Sequence, residues 1–268
     1  MTVPPNPQSI FTMVDTKVKN DEPGSKAMKW CSSQWRRIFA ELVSTCGLLL
    51  LGCMTTIPID GVPYQQPLYS PLGFGFVVMF NIQIFGHISG AHMNPSVTLA
   101  SVLWGATSIL TAIAYFIAQC TGAILGYGIL LFMSPVDLSA GGVCVTQVHH
   151  ALNVWQGLAV EVALTSTLNF LNCGVWDPVN KNKQDSVPVK FGLAIAGLSL
   201  CGGPLTGASM NPARSLAPAL LTGLWRDHWI YWVGPFIGAV LPTLLYKYVW
   251  LKKEDSVIVS PGVPIISS

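Results

Sequence analysis

The chain alternates long apolar runs with short polar ones, the long runs falling roughly at Ile38–Ile57, Leu68–His87, Ile109–Met133, Trp155–Val175, Val187–Gly202 and Trp229–Leu251. A segment surrounded by hydrocarbon must satisfy its own backbone hydrogen bonds, and about 20 apolar residues cross the bilayer core. Each run therefore predicts a membrane-spanning helix. Two further apolar stretches, Asn94–Trp104 and Asn211–Leu224, are too short to cross; each starts at an Asn-Pro pair and ends in a Gly-containing turn. The pattern predicts an all-α membrane protein of six transmembrane helices plus two re-entrant half-helices.

The polar connections orient it. Lys17, Lys19, Lys26, Lys29, Arg36 and Arg37 precede the first span, Lys181 and Lys183 lie between spans four and five, and Lys247, Lys252 and Lys253 close span six. The connections Pro58–Pro67 and Ser134–Asn153 carry no Lys or Arg. By the positive-inside rule both termini and the fourth connection are cytoplasmic. Residues 1–36 read as a disordered cytoplasmic tail without a cleavable signal, 37–251 as the membrane domain, and 252–268 as a second cytoplasmic tail.

The two halves repeat. Gly90-Ala91-His92-Met93-Asn94-Pro95 returns as Gly207-Ala208-Ser209-Met210-Asn211-Pro212, and at the same offset Leu99-Ala100 returns as Leu216-Ala217. Glu41 and Cys53 have the same spacing as Glu161 and Cys173. Each repeat, about 37–134 and 154–251, holds three spans, an odd number, so the second copy is inserted upside down. An inverted 3+3 repeat places functional residues near the midplane at its pseudo-two-fold axis.

Composition agrees with a membrane solvent. Of 268 residues 51% are hydrophobic and 10% charged, against about 25% charged in an average soluble domain. The net charge of +2 gives no reason to expect a nucleic-acid partner. Seven cysteines are an odd number, mostly in apolar runs, and read as buried thiols acting as small hydrophobes rather than as a disulfide framework.

Asn is a preferred helix N-cap and Pro suits the first helical position, so Asn94 and Asn211 can each be read simply as caps. Their recurrence in inverted repeats adds more. Two half-helices entering from opposite faces meet N-terminus to N-terminus, each tip carrying partial positive charge, with amide N–H groups to offer whatever lies between. The stretches Gly86–Pro95 and Gly207–Ser215 resemble the two signature loops of the aquaporin, or major intrinsic protein, family, and the resemblance covers about Arg37 to Leu251. In the first loop Ser96 replaces the usual alanine after Asn94-Pro95; the second keeps Asn211-Pro212-Ala213. The resemblance implies an aquaporin-like, right-handed six-helix bundle with a pore in each subunit of a homotetramer. It also implies passage of water and small neutral solutes, with protons and ions excluded at the paired asparagines.

The family's selectivity filter maps by spacing onto Phe74, Ser199, Ala208 and Arg214. Strict water channels usually have histidine where Ser199 stands. Serine removes the ring, and Ala208 does not restore the bulk, leaving an amphipathic slot between Phe74 and Arg214 that suits glycerol and, as a further candidate, urea. These four residues resemble the filter of the insect glycerol-permeating branch, the entomoglyceroporins. Against that, typical glycerol facilitators have Asp where this chain has Ser215, and replace the aromatic pair Tyr231-Trp232. A water-selective channel without glycerol permeability is the alternative, and a junction or scaffold protein that hardly conducts is a third reading.

Glu41 and Glu161, intramembrane carboxylates, invite a proton-relay role but at matched repeat positions read better as braces for the re-entrant loops. His87 and His92 are either vestibule or packing residues, and His149-His150 is too isolated for a metal site. Gly122-x-x-x-Gly126 and Gly234-x-x-x-Gly238 have the spacing of close helix seams. No nucleophile, metal or cofactor constellation is evident, and no nucleotide-binding loop; the chain reads as neither an enzyme nor an energised transporter.

Overall fold

The computed structural model describes residues 23–59, 68–139 and 141–251, and among these it is helical with no strand. Lys17, Lys19, Lys252 and Lys253, most of the connection 58–67 and both outer tails lie outside the described residues. The helices are α1 (Pro23–Met54), α2 (Tyr69–Ser89), α3 (Pro95–Trp104), α4 (Ile109–Met133), α5 (Val154–Trp176), α6 (Val187–Thr206), α7 (Pro212–Thr222) and α8 (Ile230–Leu245). α3 and α7 are the short pair, and the other six are the expected spans.

Two boundaries differ from the sequence reading. α1 starts at Pro23, so residues 23–36, which the sequence reading placed in a disordered tail, are helical. Pro23 suits a first helical position because its missing N–H has no partner there to lose. The sixth span stays α-helical for only 16 residues and continues as a π turn, Tyr246–Trp250. Sixteen residues rise about 24 Å, short of a bilayer core, and the π turn supplies the remainder. Pro242 is where the ladder changes: the Tyr246 N–H is shared between the Pro242 and Thr243 carbonyls.

Close seams hold the bundle. A Cβ on Gly122 or Gly126 of α4 would strike the carbonyls of Leu42 and Cys46 in α1. In the second repeat, a Cβ on Gly234 or Gly238 of α8 would lie 2.8 Å from Glu161 Cβ and 2.6 Å from Thr165 Cβ in α5. With no net hydrophobic force between helices in lipid, such backbone approach is the source of packing energy. α2 meets α6 by the same device, through Gly75 and Gly192. The buried cluster gathers around the half-helices, with Leu48, Phe74, Met93, Val97, Leu168 and Met210 among its members. Leu193 and Leu241 stand 63% and 58% exposed on the outside, as lipid-facing residues would.

The two repeats are thus α1–α4 and α5–α8, each with a half-helix third in order. Lys247, beyond α8, donates to the Leu103 and Trp104 carbonyls at 2.8 and 3.0 Å, capping the C-terminus of α3 with a cation where the dipole favours one. The C-terminus of α3, the α5–α6 connection, to which Tyr246 bonds through Asp177, and the end of α8 therefore share one face.

Candidate functional site: a passage between two opposed helix tips

Asn94 and Asn211 are the N-caps of α3 and α7. Asn94 Oδ1 accepts from Ser96 N and Asn211 Oδ1 from Ala213 N and Arg214 N. Each amide nitrogen also crosses the axis. Asn94 Nδ2 donates to the Met210 carbonyl and Asn211 Nδ2 to the Met93 carbonyl, both at 2.8 Å. The tips of the half-helices therefore meet N-terminus to N-terminus. Each amide carries two N–H groups, so one remains on each side after the cross-link. Ser96 joins the junction, its Oγ lying 2.9 Å from Asn94 Oδ1 and 3.1 Å from the Met210 carbonyl.

The loops ahead of the caps are bent alike. Ala91 and Met93 have φ of 48° and 52°, Ala208 and Met210 of 47° and 52°, a left-handed conformation costing about 1–2 kcal/mol per residue with a Cβ. Buried carboxylates hold it. Glu41 accepts from His92 N (2.9 Å), Met93 N (2.8 Å), Ser89 Oγ (2.6 Å) and Gln119 Nε2 (2.8 Å). Glu161 accepts from Ser209 N (2.9 Å), Met210 N (2.8 Å) and Thr206 Oγ1 (2.7 Å). Both are fully buried and neither lines the cavity described next.

A cavity of about 440 Å³ runs between the repeats, and Asn94, Asn211, Phe74, Ser199, Ala208 and Arg214 all line it. The Arg214 guanidinium carbon sits 5.0 Å from the Phe74 ring centroid, and its Nη1 donates to the Cys144 carbonyl at 2.6 Å. Arg214 is only 8% exposed although it faces this cavity. The remaining wall is largely apolar, from Val78 and Ile82 to Leu168 and Phe191. A largely apolar cavity with a few donors and no carboxylate among its lining residues suits neutral molecules better than cations.

A family model described as major intrinsic protein matches residues 28–246. The chain belongs to the major intrinsic protein family. Mouse Aquaporin-4 is 42% identical over 225 residues, covering 82% of this chain and 69% of that one. The human lens fiber major intrinsic protein is 37% identical over 228 residues, covering 84% and 85%. The aquaglyceroporin structure from Plasmodium falciparum superposes with a TM-score of 0.66 at 21% identity, over 80% of this chain and 96% of that chain, and shows the same fold. As a family member the chain is a membrane channel that passes water and small solutes passively, and not an enzyme.

Other positions singled out in the sequence fall into place around this family's pore. Ser215 is fully buried and joins a hydroxyl chain with Thr146 Oγ1 (2.7 Å) and Ser209 Oγ (2.6 Å); it is not among the residues lining the cavity. Tyr231 donates to the Thr206 carbonyl at 2.9 Å, as Tyr115 does to the Ser89 carbonyl at 2.9 Å in the other repeat. Trp232 Nε1 donates to His228 Nε2 at 3.0 Å, and burial of His228 in the turn before α8 pushes its pKa down, consistent with the neutral ring that this bond requires. His92 lines the cavity with Nδ1 3.0 Å from Thr98 Oγ1, whereas His87 is exposed. The His149 and His150 rings stack at 4.1 Å.

One expectation is overturned. Cys53 and Cys144 form a disulfide and are not free thiols; Cys31, Cys46, Cys120, Cys173 and Cys201 are free, but of these Cys31 and Cys201 are exposed and only Cys173 is fully buried. Cys53 lies in an apolar helix and its partner 91 residues away, so nothing local marks the pair. Sequence reasoning also missed Tyr115, Gln119, Thr206 and the Met93 and Met210 carbonyls. Of these, only Tyr115 carries a signal, a polar tip at a place similar to that of Tyr231 in the other repeat.

Proposed function

We propose that this channel conducts glycerol as well as water, with urea as a further permeant, and excludes protons and ions. The observation that supports the reading is a cavity wall on which the Arg214 guanidinium lies 5.0 Å from the Phe74 ring centroid, with the small Ser199 and Ala208 lining the same cavity. Glycerol has a carbon edge for the Phe74 ring and a hydroxyl edge for the Arg214 donors. A histidine in place of Ser199 would fill that space. Proton exclusion rests on the junction of the half-helices. A water there accepts the free N–H groups of Asn94 and Asn211 through its oxygen and so cannot also accept along the file. Two opposed tips, each equivalent to about half a positive charge, raise the barrier for cations. We further place the channel in the plasma membrane as a homotetramer with both termini cytoplasmic, a reading supported by the distribution of Lys and Arg and by what is typical of the family.

The test is stopped-flow light scattering of proteoliposomes with glycerol as the osmolyte. Glycerol permeability well above that of protein-free vesicles is expected. Water permeability raised without it would leave a water-selective channel, a reading favoured by Ser215, by Tyr231-Trp232 and by the 42% identity to a protein named Aquaporin-4.

A further inference from the structure

We propose that the Cys53–Cys144 disulfide is a specificity-determining positioning element, which fixes the aperture of the pore by holding the carbonyl that anchors Arg214. This rests on the assignment of Phe74, Ser199, Ala208 and Arg214 as the filter.

The chain of contacts is short. Cys144 sits on the connection between α4 and α5, its own φ of 65° in the left-handed region, and its carbonyl accepts from Arg214 Nη1 at 2.6 Å. Its sulfur is bonded to that of Cys53, fully buried in the last turn of α1. The residue next to Cys53 is Gly52, where a Cβ would lie 2.5 Å from Phe74 Cε1, so the Phe74 ring rests directly on the α1 backbone. The end of α1 therefore backs both sides of the constriction, Phe74 through Gly52 and Arg214 through Cys53, Cys144 and the carbonyl. The Arg214 guanidinium stands 5.0 Å from the Phe74 ring centroid, a cation–π contact whose two partners are both backed by this post.

Other contacts on the connection do not replace it. Tyr127 donates to the Val143 carbonyl at 2.7 Å, and Thr146 bonds Ser215. These hold the connection at Val143 and Thr146, and Val145 N donates to the Gly142 carbonyl at 3.0 Å, closing a turn that carries the Cys144 carbonyl; the disulfide is the bond that ties this turn to α1. The second repeat has no counterpart. Cys173, at the matching spacing from Glu161, keeps its thiol 3.9 Å from Thr243 Oγ1. The covalent tie is specific to the half of the molecule that holds Arg214 in place.

The experiment compares oxidised and reduced full-length protein in proteoliposomes, reading water, urea and glycerol permeability in one preparation. A phosphine reductant cleaves the bond, taking up one oxygen from water while each sulfur gains a proton. Peptide mapping then confirms that the Cys53–Cys144 cross-link was present before treatment and absent after it. Release of Arg214 is expected to raise the ratio of urea or glycerol to water permeability by about two- to tenfold, the worth of one hydrogen bond. Cys53→Ser should reproduce that rise without reductant, and Arg214→Val should abolish the response to reduction. A merely structural bond would lower all three fluxes together and leave the ratios unchanged. Unchanged ratios after verified cleavage, an undiminished response in Arg214→Val, or two free thiols in the untreated protein would each overturn the proposal. If Cys53→Ser fails to fold, reduction of the folded wild type decides. Absence of glycerol flux in the oxidised protein counts against the glycerol reading alone, since the change in ratio on reduction is scored separately.

Discussion

At the scale of single residues, this pore is built by a few polar groups whose neighbours leave them one free valence each. Asn94 and Asn211 spend their oxygens on capping and one N–H on the opposite loop, and the unspent N–H is what a permeant can meet. In the proposed function Ser199 acts by what it lacks, since a small side chain on the cavity wall leaves the space a larger ring would occupy. Ser199→His is therefore expected to reduce glycerol permeability by about tenfold, an added barrier of about 1.4 kcal/mol, while water permeability falls far less. Paired osmotic and solute measurements on one batch of vesicles check this, and equal losses of both would show that Ser199 does not set the aperture. The residues legible in the sequence were those whose polarity is out of place in an apolar run: the asparagines and the two glutamates, which recur in both repeats, and Arg214, whose counterpart in the first repeat is Val97. Tyr115 was missed, and Tyr231 was noted only as half of an aromatic pair, because a tyrosine in an apolar helix looks like core until its hydroxyl partner is known. The disulfide was missed because it joins residues that only the folded bundle brings together.

At the scale of elements, hydropathy was enough to count the spans, because lipid forces every spanning segment into a helix. The ends were less visible, since capping and π distortion depend on single bonds such as the shared Tyr246 N–H. The half-helices required more than length: each is launched by a loop with two left-handed non-glycine residues, a strain that a buried carboxylate offsets. Glu161→Gln puts an N–H where an acceptor stood, facing either Ser209 N or Met210 N. A loss of about 2–4 kcal/mol is expected from the unsatisfied pair, seen as a lowered thermal unfolding midpoint in detergent; a midpoint unmoved would mean that the loop holds itself. The seams can be tested with one substitution made twice. Gly126→Ala drives a methyl into the Cys46 carbonyl and should cost about 1–3 kcal/mol. Gly197→Ala meets nothing within 4 Å and should be neutral or mildly stabilising, because alanine is the better helix former.

At the scale of the whole molecule, the arrangement works only if the two repeats enter the membrane from opposite sides. Opposed tips meet at the midplane when α3 comes from one face and α7 from the other, and each repeat needs an odd number of full crossings to allow it. The structure separates two sets of connections accordingly. One face carries the α5–α6 connection, the C-terminus of α3 and Lys247. The other carries the end of α1 and the α4–α5 connection, tied together through Cys53 and Cys144. A disulfide persists in an oxidising compartment, and this one lies on the connection that has no Lys or Arg, so charge and redox chemistry independently support the proposal that this face is the outer one. Val136→Cys on the α4–α5 connection should therefore react with a membrane-impermeant maleimide on intact cells. Val179→Cys, on the 69% exposed turn between α5 and α6, should react only after permeabilisation, each scored above the wild-type background. Labelling of both from one side would place the two connections together, and the half-helices could then not face each other across a shared lumen.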